Sequence, residues 1–208
     1  MIEYPSIIPS SKAPRKECII FDKIDGSNFR AKWTSKRGFD LFGTRTQIID
    51  ETNPVWGQMV TLFKAYSQSD LDQFFRSSKR YRDYREIICF FEFYGEGSFA
   101  GTHTNSPKIL FLFDVLCGHK DRKFVLPQDF IKDFSFVQTP AVLGRRVLSD
   151  EFIEEVRSSE SLNEGVICKG VERSGAFRGG IWMTKIKTRN YFDRLKSRFG
   201  SDWERYAE

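Results

Sequence analysis

The alternation of apolar and polar positions along the 208-residue chain predicts a protein in which strands outnumber helices. Seven short runs are rich in β-branched and aromatic residues and are bounded by turn-forming residues. These predicted strands cover residues 17–22, 28–34, 38–42, 87–94, 108–116, 165–170 and 181–187. The polar stretch at 34–38, Thr-Ser-Lys-Arg-Gly, predicts a hairpin between the second and third of them.

Four segments show the helical spacing of apolar residues instead. Asn53 and Pro54 predict the start of the first helix. Its predicted apolar face consists of Met59, Leu62, Phe63 and Tyr66. Further helices are predicted over 70–80 and 150–158, and an amphipathic tail begins near residue 190, with Gly200 as an interruption.

The order of these elements indicates the fold class. Strands and helices do not alternate strictly, so the sequence predicts an α+β fold with largely antiparallel sheets. No internal repeat and no low-complexity linker marks a boundary, and we expect a single domain over residues 1–208.

Composition allows several classes of partner and disfavours a zinc site. Lysine and arginine exceed the acids by 33 to 28, a net charge of +5 that permits a nucleic-acid partner without requiring one. The chain has two histidines, and its four cysteines show no C-x-x-C spacing. Cys18, Cys89 and Cys168 lie in or beside apolar runs and are expected to be reduced. With no signal-peptide pattern or membrane-spanning run, we expect a cytoplasmic location, or the host cytoplasm for a viral protein.

The strand predicted at 17–22 leads into Lys-Ile-Asp-Gly at 23–26, a motif with two interpretations. A lysine in a turn is most often a surface residue. At the end of a buried strand it can be a nucleophile, because partial burial and nearby cations favour the uncharged amine that attacks phosphorus. Asp25 also suits the turn around Gly26 under either interpretation.

Later motifs favour the second interpretation, because each places a charged or aromatic side chain at or near the end of a predicted strand or hairpin. In order, they are Arg45 after the hairpin, Glu92 before Tyr94-Gly95, the strand end Phe113-Asp114, Glu164-Gly165, and the alternating pair Lys185 and Lys187. Alternation directs Lys185 and Lys187 to the same face of their strand. No P-loop motif, G-x-x-x-x-G-K-[ST], is present.

This ordered series resembles the covalent nucleotidyltransferases, the family of ATP-dependent RNA and DNA ligases and mRNA capping enzymes. The stretch Lys-Ile-Asp-Gly-Ser-Asn at 23–28 is most similar to the phage RNA ligase 2 type, which includes RNA-editing ligases. Asn28 stands where DNA ligases and capping enzymes more often carry an arginine. The resemblance implies a nucleotidyltransferase fold, an ATP-grasp-like ligase adenylation domain with antiparallel sheets and flanking helices around a nucleotide groove.

The resemblance also implies site residues. Lys23 is implied to be the nucleophile that takes AMP from ATP, with Asp25, Lys185 and Lys187 as further catalytic residues. The implied nucleotide-binding residues are Asp22, Lys23, Arg45, Glu92, Phe113, Glu164, Lys185 and Lys187. Glu164 is implied to hold the divalent metal, Mg²⁺ or Mn²⁺.

Individual contacts follow from the same resemblance. Phe113 is implied to stack on the adenine, and Asp22 to recognise its amino group. Glu92 is implied to bond a ribose hydroxyl, and Arg45 to contact the phosphate or ribose. The lysines at the end of the chain's last predicted strand are implied to bind phosphates.

The implied function is an ATP-dependent RNA ligase that acts through lysyl-AMP. AMP passes to a 5′-phosphate end, and a 3′-hydroxyl then displaces it to seal the strand. The expected partner is RNA, with DNA as an alternative, and a monomer without membrane attachment is expected. A minimal DNA ligase, a GTP-dependent capping-type guanylyltransferase and a non-catalytic module that binds nucleotide or RNA ends are the alternatives. The stretch after Lys187 is too short for an OB or helical domain, so we expect a catalytic domain alone.

Several assignments keep an alternative at this stage. Arg45 competes with a plain surface arginine, and Glu92 competes with Glu96. Phe113 competes with a core role beside Phe111, with which alternation places it on one face. Basic residues at four other positions suit either a nucleic-acid backbone or a solubilising surface: Arg145, Arg146, Arg173 and Arg178.

Overall fold

The structure is a computed structural model that describes residues 2–98, 103–172 and 180–206. The chain forms two compact units. Unit 1 is Gly26–Thr139 together with the N-terminal residues up to Pro5, and unit 2 is Ser6–Asp25 together with Pro140–Glu208. The single domain expected over residues 1–208 stays a prediction. In the described ranges, no helix has the length and apolar character needed to cross a membrane.

Eleven strands and five α-helices make up these described ranges. The strands are β1 (Ile8–Pro9), β2 (Glu17–Asp22), β3 (Ser27–Thr34), β4 (Gly38–Gly43), β5 (Ile48–Ile49), β6 (Glu86–Tyr94), β7 (Ile109–Cys117), β8 (Lys123–Phe124), β9 (Val142–Val147), β10 (Gly165–Val171) and β11 (Ile181–Lys187). The helices are α1 (Gly57–Tyr66), α2 (Gln68–Ser77), α3 (Pro127–Asp133), α4 (Asp150–Arg157) and α5 (Arg189–Phe199), and short 3₁₀ helices cover Ser10–Lys12 and Gly200–Tyr206.

The predicted α+β class is confirmed, and each of the seven predicted strands forms within one residue of its predicted bounds. The hairpin between β3 and β4 is confirmed, with Thr34 opposite Gly38. Strands β1, β5, β8 and β9 were not predicted. Three of them have only two residues, and β9 is an edge strand in which five of six residues are exposed, so no apolar alternation marks it.

Unit 1 is built on a six-stranded antiparallel sheet in the order β5-β4-β3-β6-β7-β8. Its core is a cluster of phenylalanines between the sheet and α1. The centroid of the fully buried Phe63 ring lies 4.9–5.7 Å from those of Phe29, Phe39, Phe42 and Phe91. The heavy use of phenylalanine in the strands therefore supplies the unit's core.

Helix α1 begins later than its sequence signals indicate. The side chain of Asn53 accepts hydrogen bonds from the backbone N–H groups of Val55 and Trp56, which forms a turn ahead of the helix. The helix itself begins at Gly57. The prediction that Tyr66 belongs to the apolar face is wrong, because this last residue of the helix is 76% exposed.

Unit 2 is built on a five-stranded sheet in the order β1-β11-β10-β2-β9, antiparallel except where β1 pairs with β11. Helix α4 packs on one face through Phe152, Ile153 and Val156. The sheet residues of this core are Cys18, Ile20, Val166, Cys168, Trp182 and Ile186. All four cysteines of the chain are buried free thiols. Gly200 ends α5, as its position in the sequence predicts.

We expect Phe63→Ala to lower the free energy of unfolding by about 3–5 kcal/mol, because it leaves a cavity among four phenylalanine rings. Tyr66→Ala, at an exposed position of the same helix, is the matched control and should stay within about 0.5 kcal/mol of wild type. Urea denaturation followed by fluorescence measures both. Equal losses in the two variants would contradict the assignment of this core.

Candidate active site

Three strand ends of unit 2 meet around the dipeptide Glu164-Gly165. The backbone N–H of Lys23, just after β2, donates to the carbonyl oxygen of Gly165 at 3.0 Å. The backbone N–H of Thr188, just after β11, donates to the carbonyl oxygen of Glu164, also at 3.0 Å. In the sheet register Gly165 lies opposite Lys187. The fold therefore brings together three short motifs that are far apart in sequence.

Gly165 is required by the close approach of β10 and β11. Its φ is +148°, and a Cβ atom there would lie 2.0 Å from the carbonyl oxygen of Ile186. No side chain fits at that distance, and the positive φ also favours glycine. The glycine of the Glu-Gly motif is thus sterically required for the glutamate to lie beside the end of β11.

The carboxylate of Glu164 bridges two lysines. Its Oε2 lies 2.7 Å from Nζ of Lys23, and its Oε1 lies 2.9 Å from Nζ of Lys187. The side chains of Glu164 and Lys187 are 3% and 4% exposed, whereas that of Lys23 is 18% exposed. Burying a carboxylate is costly unless it is paired and hydrogen-bonded, and here both oxygens have a cationic partner.

Burial and neighbouring charges shift the pKa values of Lys187 and Asp22 at this site. Burial lowers the pKa of Lys187, and the charge of Lys23 acts in the same direction, while Glu164 opposes both. Burial raises the pKa of Asp22, at the end of β2; the charge of Glu164 adds to this, and the backbone N–H and the charge of Lys23 oppose it. The site thus holds charged groups where water screens them poorly.

Tyr191 and Asp25 form a second layer beside this bridge. Thr188 caps α5, since its Oγ1 accepts a hydrogen bond from the backbone N–H of Tyr191 at 3.1 Å. The hydroxyl of Tyr191 donates to Oδ1 of Asp25 at 3.3 Å, with both side chains buried. Nζ of Lys187 lies 4.9 Å from the centre of the Tyr191 ring. The sequence predicts only an amphipathic tail here and does not single out Tyr191, because nothing in its spacing separates it from a core tyrosine.

Lys185 and Lys187 lie on one face of β11, as alternation predicts. Lys185 is half-buried and lies opposite Ile167. The opposite face of β11 consists of Trp182, Thr184 and Ile186, all buried.

Glu92, Phe113 and Arg45 belong to unit 1. Glu92 is half-buried on β6, opposite Asn28 on one side and Phe111 on the other. Its competitor Glu96 is exposed. Gly26 is required close by, because a Cβ atom would lie 2.3 Å from the carbonyl oxygen of Phe93 and 2.9 Å from Cγ of Glu92.

Phe113 occupies an irregular point of β7. The register shifts between Phe90 and Phe91, which pair with Asp114 and Leu112, so Phe113 is the extra residue of a bulge. Phe111 and Phe113 are both half-buried and Leu112 between them is buried, which agrees with the alternation expected from the sequence. The ring of Phe113 is half-buried and meets the edge of Tyr4 at a centroid distance of 5.0 Å, and the Tyr4 hydroxyl donates to Asp114.

Arg45, Arg145 and Arg146 occupy exposed positions. Arg45 is exposed in the turn after β4. On β9, Arg146 pairs with Glu155 at 2.7 Å, and Arg145 lies 3.9 Å from Glu17. Arg173 and Arg178 lie outside the described residues.

We expect Glu164→Gln to lower the free energy of unfolding of the chain by about 3–5 kcal/mol, because it removes the carboxylate that pairs with the buried Lys187 ammonium. Glu155→Gln removes the exposed partner of Arg146 and serves as the control, with an expected loss below about 1 kcal/mol. Chemical denaturation of both variants measures the difference. A loss for Glu164→Gln no larger than that of the control would show that the bridge is not a buried charge network.

Known proteins resemble this chain in sequence and fold. The RNA ligase family matches residues 16–187. A Naegleria gruberi RNA ligase mutant with ATP and Mn is 16% identical, with a TM-score of 0.71, over 95% of this chain and 59% of that chain. A mutant of the same ligase without ligand is 16% identical, with a TM-score of 0.66, over 94% and 60%. The ligase with pyrophosphate is 17% identical, with a TM-score of 0.66, over 88% and 53%.

These structural matches establish a shared fold, and this chain spans between 53% and 60% of the length of those ligase chains. No curated protein matched the chain. The family match extends over most of the sequence and includes Lys23, Glu92, Glu164 and Lys187. The chain belongs to the RNA ligase family.

Proposed function

We propose that this chain is the catalytic domain of an ATP-dependent RNA ligase that acts through a lysyl-AMP intermediate. Lys23 takes AMP from ATP, AMP passes to the 5′-phosphate of an RNA end, and a 3′-hydroxyl displaces AMP to form the phosphodiester. One observation carries the proposal: the Lys23 amine and the buried Lys187 ammonium share the carboxylate of Glu164, at 2.7 and 2.9 Å.

The first step requires Lys23 to lose a proton. An ammonium has no lone pair, whereas an uncharged amine can attack phosphorus. Oε2 of Glu164 already accepts a hydrogen bond from Nζ and is placed to receive that proton. As the P–N bond forms, the bond between the α-phosphorus and its bridging oxygen breaks, and pyrophosphate leaves with the electron pair.

Lys187 and Lys185 support the same step electrostatically. Attack builds negative charge on the α-phosphate oxygens, and fixed cations stabilise that charge without reorganising. The ammonium of Lys187 is held by Glu164 and by the ring of Tyr191. Lys185 projects from the same face of β11. We assign both lysines to phosphate binding.

The residues present fit a divalent cation that arrives with the nucleotide. Within the described part of the chain, no group of three or more His, Cys, Asp or Glu side chains could hold a metal by itself. Mg²⁺ needs oxygen ligands, retains several waters and is commonly held by one or two carboxylates plus substrate phosphates. Glu164 supplies such a carboxylate. Mg²⁺ or Mn²⁺, when bound, neutralises charge on the phosphates.

We assign the remaining contacts to the nucleotide's base and sugar. Glu92 suits a ribose hydroxyl, since its half-buried carboxylate is an acceptor on the sheet of unit 1. Phe113 offers an aromatic ring of the kind that stacks on a base, worth about 1–3 kcal/mol per base. We assign Asp22 to the adenine amino group and Arg45 to the phosphate or ribose. Asp25 is assigned to keeping the loop after Lys23 in a fixed conformation.

The preference for RNA rests on the residues that follow the nucleophile. Ser27-Asn28 is typical of the RNA ligase 2 type, and the Asn28 position lies directly opposite Glu92. The net charge of +5 suits a polyanionic substrate. The related Naegleria gruberi structures include one with ATP and Mn and one with pyrophosphate, which agrees with the nucleotide chemistry proposed here.

We further propose a monomer in the cytoplasm, where its four free thiols stay reduced.

We expect the wild-type chain to form a covalent adduct when incubated with Mg²⁺ and ATP labelled at the α-phosphate. In Lys23→Ala the labelling should fall below about one hundredth of wild type, because the variant lacks the amine to which AMP becomes attached. Lys196→Ala removes an exposed lysine of unit 2 and should label normally. Denaturing gel electrophoresis measures the adduct.

Two controls sharpen that experiment. Chelation by EDTA should abolish labelling while the circular dichroism spectrum stays unchanged. GTP labelled at the α-phosphate should label poorly, and preferential labelling by GTP would replace the ligase proposal with a capping-type guanylyltransferase. A wild-type chain that binds ATP without any adduct would contradict the proposal and favour a binding module.

Sealing should depend on the chemistry of the strand ends. We expect nicked RNA with a 5′-phosphate and a 3′-hydroxyl to be joined at least about tenfold faster than the matched DNA nick, a difference of about 1.4 kcal/mol in transition-state free energy. The matched nick with a 5′-hydroxyl is the control and should not be joined. Product strands are quantified on a denaturing gel. Faster joining of DNA would contradict the RNA assignment.

A further inference from the structure

Tyr191 contacts two side chains of the candidate site and belongs to none of the sequence motifs. It lies in the first turn of α5, four residues after Lys187, and its side chain is 3% exposed. A buried tyrosine is usually a core residue. Two of its contacts, however, are with charged groups to which the proposed function assigns roles, and the inference below rests on that proposed function.

The ring of Tyr191 faces cations. Nζ of Lys187 lies 4.9 Å from the ring centre, and the guanidinium carbon of Arg194 lies 5.6 Å from it. The face of an aromatic ring carries negative electrostatic potential and attracts a cation within about 6 Å. The ring therefore favours the charged form of Lys187, which burial disfavours. An aliphatic side chain of similar size would not do this.

The hydroxyl of Tyr191 reaches the loop of the nucleophile. It donates a hydrogen bond to Oδ1 of Asp25 at 3.3 Å. Burial and the nearby carboxylates of Glu164 and Asp25 raise the pKa of Tyr191, so the phenol remains a donor. Asp25 is two residues from Lys23 and is itself buried. One side chain thus contacts both Asp25, two residues after the nucleophile, and the phosphate-binding lysine.

Helix α5 holds Tyr191 firmly in this position. Thr188 caps the helix one turn earlier through the Tyr191 backbone N–H. One turn later, Arg194 donates to the backbone oxygen of Asn163 at 2.6 Å and to its side-chain oxygen at 2.8 Å. Asn163 directly precedes Glu164. The helix is therefore fastened to the same dipeptide that carries the bridging carboxylate.

We propose that Tyr191 is a positioning residue for adenylyl transfer: its ring holds the Lys187 ammonium and its hydroxyl holds the Asp25 carboxylate, so that Lys23 and the phosphate-binding cation keep a fixed separation. Small errors in such a separation are costly, because attack on phosphorus requires the reacting atoms to be aligned. The two functions of the side chain can be removed separately. Phenylalanine keeps the ring and loses the hydroxyl, whereas leucine loses both.

The experiment measures the single-turnover rate of adduct formation at saturating ATP, the apparent Kd of ATP, and the melting temperature. Tyr191→Phe should lower the rate about three- to tenfold, and Tyr191→Leu should lower it about ten- to hundredfold, since a loss of alignment appears in the chemical step. The Kd of ATP should change less than about threefold. A higher adduct rate in Tyr191→Phe than in Tyr191→Leu shows that the aromatic ring itself acts on Lys187.

Tyr81→Phe is the matched control. Tyr81 is also a buried tyrosine, and its hydroxyl donates to a carboxylate oxygen of Asp133 at 2.8 Å in unit 1. This variant loses the same kind of hydrogen bond outside the candidate site. Its adduct rate should remain within about twofold of wild type even where its melting temperature falls.

Each outcome decides the inference. It is overturned if both Tyr191 variants form the adduct within about twofold of the wild-type rate. It is also overturned if their adduct rates fall only in proportion to the fraction of protein that is unfolded, as expected for Tyr81→Phe. Should the leucine variant fail to fold, the rate of Tyr191→Phe relative to Tyr81→Phe decides alone. A wild-type chain without any adduct rejects the proposed function and this inference together, whereas normal wild-type labelling with unaffected variants rejects this inference only.

Discussion

A buried carboxylate shared by two lysines is the interaction on which the candidate site depends. Glu164 is almost fully buried and would be strongly destabilising without compensation. Lys187 and Lys23 supply that compensation, one on each oxygen. The same arrangement holds a potential nucleophile next to a fixed cation. A feature that stability requires is therefore also the feature from which the chemistry follows.

The sheet of unit 2 makes this arrangement possible. Lys23 follows β2, Glu164 precedes β10 and Lys187 ends β11, and these three strands are neighbours. Antiparallel pairing brings the end of one strand beside the start of the next, so residues far apart in sequence meet at one edge. Gly165 permits the close approach there, because any Cβ would collide with β11.

The fold class and most of the site could be predicted from the sequence, for identifiable reasons. Strands such as β6 and β7 bury one or both faces, so their runs of apolar residues identify them in the sequence. Strand β9 is exposed and has no such run. Gly26 and Gly165 occupy positions where the neighbouring backbone is too close for any side chain, and both glycines are visible in the sequence motifs. The bulge at Phe113 could not be predicted, because an extra residue in a strand depends on pairing with its neighbour. Tyr191 was missed for a related reason: its importance lies in what it contacts, and its spacing is that of an ordinary core residue.

The proposed function requires the amine of Lys23 to form the bond to AMP. Tandem mass spectrometry of the protein after incubation with ATP and Mg²⁺ tests this most directly, because it locates the modified residue. We expect a mass gain of one AMP on the peptide that contains Lys23, with fragment ions that assign it to that side chain. An adduct on Lys187, on Lys185 or on another residue, with Lys23 unmodified, would contradict it.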